Sequence, residues 1–206
     1  MRRVSADADG IAVAATAILA GQVVAIPTDT LYGLAADPFS PIAVARVFAV
    51  KGRLAERALL LIAADTAQIA ARLGPLSQVA QRLADTFWPG PLTLLLEAPD
   101  TLAPDVTGGS ARVGVRVPAH DVARALCRAC RLPLTATSAN ISDRPATNDP
   151  DEVARMLGPR IDVLLDAGQT AGGPPSTIVD ATGPTLRLVR AGAVPWDEVM
   201  ACVQRA

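Results

Sequence analysis

The sequence predicts an α/β fold in which a largely buried sheet is covered by helices on both faces. Two observations carry this. Short runs that are apolar throughout, such as Val23-Val24-Ala25-Ile26 and Leu59-Leu60-Leu61-Ile62, lack the alternation of a half-exposed strand and so read as strands buried on both sides. They alternate with Ala-rich segments of helical spacing, the pattern of a sheet layered with helices. Half of the 206 residues are hydrophobic but only 3% are aromatic, so the core must be built from Ala, Val, Leu and Ile.

The elements follow in order. Gly10 to Ala20 is Ala-rich and stops at Gly21, a helix C-terminus. Val23–Ile26 is a strand closed by Pro27. Pro41 to Val50 is a helix with Pro in its first turn, ended by Gly52. Leu59–Ile62 is a strand, followed by helices over Thr66–Leu73 and Leu76–Thr86. Leu92–Glu97 and Val113–Val117 are strands, Asp121–Arg131 a helix, and Leu134–Thr137 a short strand running into a loop. Pro150–Leu157 is a helix that Asp149 can cap. Val163–Leu165, Thr177–Val179 and Leu186–Val189 are strands, and Trp196–Val203 is a last helix. With no linker, repeat or low-complexity tract, residues 1–206 are expected to form a single domain.

The formal net charge is −1, so no global field draws the chain to nucleic acid or membrane. The N-terminus reaches Asp7 before any apolar run, which does not suit a signal peptide. The apolar stretches are broken by Arg, Asp and Pro and are too short to span a bilayer. Three cysteines, Cys127, Cys130 and Cys202, fit a reducing cytoplasm better than a disulfide scaffold. Cys127 and Cys130 form a Cys-x-x-Cys, but late in a predicted helix. There the dipole does not activate a thiol, so they read as core residues. His120, the sole histidine, has no paired nucleophile in its segment.

One count stands out. Of 19 Lys and Arg residues, 18 are Arg, and Lys51 is the only Lys. A compact, rotatable ammonium is not interchangeable with a planar guanidinium. In Val50-Lys51-Gly52-Arg53 two cations flank a Gly at a helix end. They either complement the helix dipole or clamp an anion. Other polar groups gather where predicted strands end, the place where open α/β sheets bind ligands. These are Pro27-Thr28-Asp29-Thr30-Leu31-Tyr32-Gly33, Thr137-Ser138-Ala139-Asn140, Pro175-Ser176-Thr177 and Val189-Arg190-Ala191-Gly192. Each segment alone is also compatible with an ordinary turn or cap. Phe87-Trp88-Pro89-Gly90-Pro91 reads as a structural turn.

Taken in order, Pro-Thr-Asp-Thr-Leu-Tyr-Gly-Leu, Lys-Gly-Arg, Trp-Pro-Gly-Pro-Leu-Thr, Val-Arg-Val-Pro, Thr-Ser-Ala-Asn, Pro-Ser-Thr-Ile-Val-Asp and Val-Arg-Ala-Gly span Gly21 to Gly192. Together they resemble the L-threonylcarbamoyladenylate synthase family, the YrdC-type domain. The resemblance implies a twisted sheet with helices on both faces and a concave, positively lined ligand groove. It implies synthesis of threonylcarbamoyl-AMP and pyrophosphate from L-threonine, bicarbonate and ATP, with Mg2+ carried by the nucleotide. A downstream threonylcarbamoyl transferase would take the product to tRNA, which leaves room for a tRNA contact. By matched motif, Lys51, Arg53, Ser138, Asn140 and Arg190 are the expected ATP contacts, with Lys51 and Arg53 at the chemistry. Thr28, Arg116 and Ser176 are the expected threonine contacts. Leu54 follows Lys-Gly-Arg where the family usually has Pro. Ile62 stands near the position of a His found in long members, and Ala136 replaces a frequent hydroxyl. Two rival readings are a carbamoyl-AMP-dependent transferase domain and a non-catalytic RNA-binding module.

Overall fold

The computed structural model describes residues 1–52, 58–142 and 144–204. Its strands are β1 (Arg2–Ser5), β2 (Val24–Ile26), β3 (Gly33–Ala35), β4 (Leu60–Ile62), β5 (Leu92–Glu97), β6 (Arg112–Arg116), β7 (Leu134–Thr135), β8 (Thr137–Ser138), β9 (Val163–Asp166), β10 (Thr177–Asp180) and β11 (Arg187–Arg190). Its helices are α1 (Ala8–Leu19), α2 (Pro41–Lys51), α3 (Thr66–Leu73), α4 (Gln78–Phe87), α5 (Asp121–Cys130), α6 (Pro150–Leu157) and α7 (Trp196–Gln204).

The helices begin where a side chain can satisfy an orphan amide. Asp7 accepts from Gly10, Ser40 from Ala43, Asp65 from Gln68, Ser77 from Ala80 and Asp149 from Asp151. His120 does the same for α5 through Nδ1, which accepts from the Ala123 amide. That gives the lone histidine a structural place. α2 ends at Gly52 in the left-handed conformation, φ 63°, which a side chain would strain.

The α/β class and the helices on both faces are as the sequence predicts, but the strands divide into two sheets. One runs β1-β9-β2-β3-β8 and the other β11-β10-β5-β6-β4-β7. Alternate residues of β2 face opposite ways. Val24 and Ile26 pack with α1 and α5, while Ala25 packs with α2 and α6. β4 divides in the same manner, Leu61 to one side and Ile62 to the other. A third cluster places α4 and α7 against Leu92, Leu94 and Val179 of β5 and β10. Strands covered on both faces need no polar alternation, which is why their sequences read as continuous apolar runs.

One stretch belongs to both sheets. Leu134 and Thr135 pair with β4, whereas Thr137 and Ser138 pair with β3. The crossing point is Ala136, whose amide donates to Leu60 O at 2.7 Å. Thr135 ties the two sheets together again. Its amide donates to Ala36 O at 3.0 Å, and its hydroxyl accepts from the Ala36 amide at 2.9 Å.

Tyr32 holds the loops above this crossing. It is fully buried, and its hydroxyl donates to Gly168 O at 2.8 Å while accepting from the Ala167 amide at 3.2 Å. Its own carbonyl accepts from Ala139 and its amide donates to Thr147 O. Burial lifts the phenol from its ordinary 10.0 to about 12. The folded state therefore resists forming the phenolate, and this contribution is intact below pH 10 and is lost as pH rises toward 12. Tyr32→Phe strands two backbone groups and is expected to cost about 1–3 kcal/mol, a fall in Tm of roughly 5 °C. It should also flatten the alkaline limb of stability between pH 10 and 12. Thermal melts across pH check both.

The Trp88 turn is structural, as expected from sequence. The indole Nε1 donates to Leu92 O at 2.6 Å, and a Cβ on Gly90 would sit 2.4 Å from Phe87 O. Cys127 and Cys130 lie buried on α5. Burial pushes the Cys127 thiol far up and that of Cys130 to about 12, so neither is a thiolate at neutral pH.

Candidate functional site

The site lies where the two sheets meet, and three short loops build it. Pro27 ends β2 and releases Thr28–Tyr32 as a loop before β3. β8 then pairs with β3, setting Ser138 opposite Gly33. Thr28 sits over Gly33, where an added Cβ would come within 3.8 Å of its methyl group.

Lys51 ends α2 and is 2% exposed. Its ammonium donates to Ser138 O at 2.5 Å, Asn140 Oδ1 at 2.9 Å and Asn140 O at 3.1 Å, with Ser138 Oγ at 3.4 Å. Ser138 Oγ donates to Asn140 Oδ1 at 2.6 Å, and Asn140 Nδ2 donates to Arg144 O. The Ser142 amide returns to Lys51 O. Lys51, Ser138 and Asn140, 87 and 89 residues apart in sequence, are thus one unit. A charge buried to this degree must be compensated by hydrogen bonds, and here the Ser-Ala-Asn turn supplies them. Arg53, expected beside Lys51, lies outside the described residues, as does Leu54.

The second group centres on Arg116, the last residue of β6. It is 10% exposed in its side chain and pairs with Asp29, 11% exposed. Arg116 Nη1 reaches Asp29 Oδ1 at 2.7 Å and Oδ2 at 2.9 Å, and the Ala119 amide donates to the same Oδ2 at 3.2 Å. On the neighbouring strands Thr93 and Ser176 share a hydrogen bond of 2.8 Å between hydroxyls. Arg190 donates to Ser176 O from Nη2 at 2.7 Å and from Nε at 3.1 Å, and to Ser176 Oγ at 3.1 Å. Burial, and then the nearby Arg116 charge, lower the Arg190 pKa. Two guanidinium groups therefore share one neighbourhood. Gly192 is required here, because a Cβ would stand 2.3 Å from Pro175 O and 2.6 Å from the Ser176 carbonyl carbon.

The structure brings together Thr28, Arg116, Ser176 and Arg190 on one side and Lys51, Ser138 and Asn140 on the other. The Thr28–Tyr32 loop joins them. Arg190, expected among the ATP contacts, lies with Ser176 of the threonine set. The Thr28 hydroxyl donates within its own loop, to Leu31 O at 2.7 Å, and lies 3.3 Å from Thr30 Oγ1. Asp29 is the residue sequence reasoning passed over. Its signal was its place in Pro-Thr-Asp-Thr, but its partner is 87 residues away. A cavity of about 790 Å3 beside α1, bordered by Arg2, Thr16, Gln22 and Asp162, includes none of these residues.

Chemically this is a cation-bearing, hydroxyl-rich site between sheets, and among the described residues no nucleophile or base is hydrogen-bonded in an arrangement for covalent catalysis. It defines an α/β protein whose strand ends carry buried cations beside hydroxyls. Residues 16–192 match the Sua5/YciO/YrdC family, described as telomere recombination, and the chain belongs to that family. It is 38% identical over 189 residues to a threonylcarbamoyl-AMP synthase of Pyrococcus abyssi, covering 92% of this chain and 56% of that protein. A threonylcarbamoyl-AMP synthase of Marinobacter nauticus is 37% identical, with 86% of this chain and 94% of that protein covered. The fold superposes on P. abyssi Sua5 complexed with L-threonine at a TM-score of 0.91 and 36% identity, covering 98% of this chain and 60% of that one. The chain thus spans little more than half the length of its Pyrococcus relatives and nearly all of the Marinobacter one. Among the described residues no helix is long and apolar enough to cross a membrane.

Proposed function

We propose that the chain is an L-threonylcarbamoyladenylate synthase, working as one YrdC-like unit in the cytoplasm. The observation that carries this reading is the joining of two anion-holding groups by a single loop. Gly33, just after the loop, pairs with Ser138 of the Lys51 group, and Asp29 within it pairs with Arg116. A reaction between two anionic partners needs such fixed cations and donors side by side.

Arg116 takes the threonine carboxylate, with Thr28 and Ser176 lining the amino-acid end. Lys51, Arg53, Ser138 and Asn140 hold the phosphates of ATP, joined by Arg190 from beside Ser176. Threonine amine and bicarbonate condense to an N-carboxylate with loss of water. A carboxylate oxygen attacks the α-phosphorus of ATP, the new P–O bond forms, and the bond to the β-phosphate oxygen breaks to release pyrophosphate. No protein nucleophile takes part. Asn140 Oδ1 already accepts from Lys51 and Ser138, and the Asp29 carboxylate is held by Arg116. This donor set suits phosphate oxygens and not a metal cage. Mg2+ would arrive on the nucleotide, where it screens the phosphate charge. The product would pass to a threonylcarbamoyl transferase acting on tRNA.

Incubating the protein with ATP, bicarbonate and single amino acids, and measuring pyrophosphate, tests the proposal. Threonine-dependent release is the expected result. No release with any amino acid, together with tight RNA binding, would overturn it in favour of a binding module.

A further inference from the structure

We propose that Asp29 is the positioning residue of the amino-acid pocket: it grips Arg116 by one nitrogen and leaves the rest of the fork for the substrate carboxylate. This rests on the synthase reading above. The geometry of the pair is the first argument. A carboxylate satisfying a guanidinium for its own sake makes two parallel bonds to two nitrogens. Here both Asp29 oxygens converge on Nη1, at 2.7 and 2.9 Å. Among the described residues, Arg116 Nε and Nη2 donate to no protein acceptor. A plug competing with substrate would occupy that edge.

The carboxylate is itself fixed. The Ala119 amide holds Oδ2, and the flanking residues are tied down on both sides. Thr28 bonds to Leu31 O, while Thr30 O accepts from the Gly172 amide at 2.9 Å and the Thr170 hydroxyl at 2.6 Å. Asp29 therefore reaches across from the β2–β3 loop of one sheet to the end of β6 in the other. A first partner that locks a side chain's orientation is what a precise binding group requires.

Charge is the third argument. Arg116 and Arg190 repel each other, as the depressed Arg190 pKa records after the effect of burial. Asp29 offsets one of the two charges. That offset lets Arg116 stay beside Arg190 in a fixed orientation.

The test uses the full chain with Asp29→Ala and Asp29→Asn, reading KM for threonine and for ATP separately from pyrophosphate release. Asp29→Ala should raise the threonine KM about tenfold while the ATP KM stays within twofold. Asp29→Asn keeps the size and an acceptor but not the charge, and should fall between. It carries the test if the alanine variant does not fold. A threonine KM that is unchanged or lowered overturns the proposal, and lowering would identify Asp29 as a plug. A uniform rise in both KM values would mark a purely structural role and overturn it as well. Threonine affinity by calorimetry needs no turnover and separates the two readings. Wild-type protein that binds threonine without releasing pyrophosphate sinks the synthase reading alone. Equal affinity in wild type and Asp29→Ala sinks the Asp29 role alone.

Discussion

Lys51→Ala is expected to lower pyrophosphate release about a hundredfold, the usual loss for one charge-stabilising donor at a reacting centre. The structure gives the substitution a second route to the same loss. Ser138 O, Asn140 O and Asn140 Oδ1 all accept from the ammonium, and Lys51 is 2% exposed. Without it Asn140 O has no donor, at about 1–3 kcal/mol where water cannot replace it, while Asn140 Oδ1 keeps only Ser138 Oγ and Ser138 O only the Asn140 amide. The Ser138–Asn140 turn then loses its orientation as well as its neighbouring charge. Lys51→Arg should not restore activity. A guanidinium is planar and larger, and a side chain 2% exposed against the Ser138–Asn140 turn has no room to re-aim it. Lys51→Met preserves volume and separates the loss of charge from a cavity. Steady-state pyrophosphate release beside thermal melts checks all three, and turnover within a few-fold of wild type would dismiss the role.

Arg116→Ala is the other large effect. The pair with Asp29 is about nine-tenths buried on both sides. Removing one member of a buried charged pair typically costs about 3–5 kcal/mol, because the remaining charge stays buried without its partner. The variant also loses the group that the proposed function assigns to the threonine carboxylate. The threonine KM is expected to rise about a hundredfold or more, corresponding to roughly 2.7 kcal/mol, in the range for truncating a buried charged contact. The ATP KM should change far less, since Lys51, Ser138 and Asn140 are held independently of Arg116. Arg116→Lys should recover little, because a point charge cannot serve Asp29 and a second carboxylate with a rigid fork. Equal losses for threonine and ATP would contradict the division of the site into two groups.

Much of the fold was legible because burial on both faces leaves a plain mark. Val23–Ile26 and Leu59–Ile62 are continuous apolar runs, and each became a strand within a residue of its expected limits. Thr66–Leu73 and Pro150–Leu157 match their helices to the residue, the second announced by its Asp149 cap, while the Asp65 cap of the first is seen only in the structure. β1 was not legible. Arg2 and Arg3 are exposed on a sheet edge, so its sequence carries no apolar run. β3 was hidden for the opposite reason: Gly33–Ala35 follows a cluster of polar groups that read as a ligand loop. The division into two sheets depends on a change of partner at Ala136, and no local property of Ala136 announces it.

The site divides along the same line. Lys51 drew notice as a solitary residue type, and the motif order assigned its companions Ser138 and Asn140. The direction of its ammonium, into that turn, is a tertiary fact. Asp29 was overlooked because Asp in a turn is unremarkable. What distinguishes it is Arg116, which only the meeting of the sheets brings near. The Arg53 expectation falls outside the described residues.

The strand that changes sheets at Ala136 bears on how the molecule reaches its working form. The residues of the two groups come from six stretches, between Thr28 and Arg190, and the two sheets share backbone through residues 134 to 138. Neither sheet closes as an independent unit, since one continuous segment must be laid down in both. Contacts across 87 residues and more must form before any pocket exists, a topology that favours slow, all-or-none assembly. A fragment of this chain would therefore carry no half-pocket, and binding competence would be gained late and in a single step.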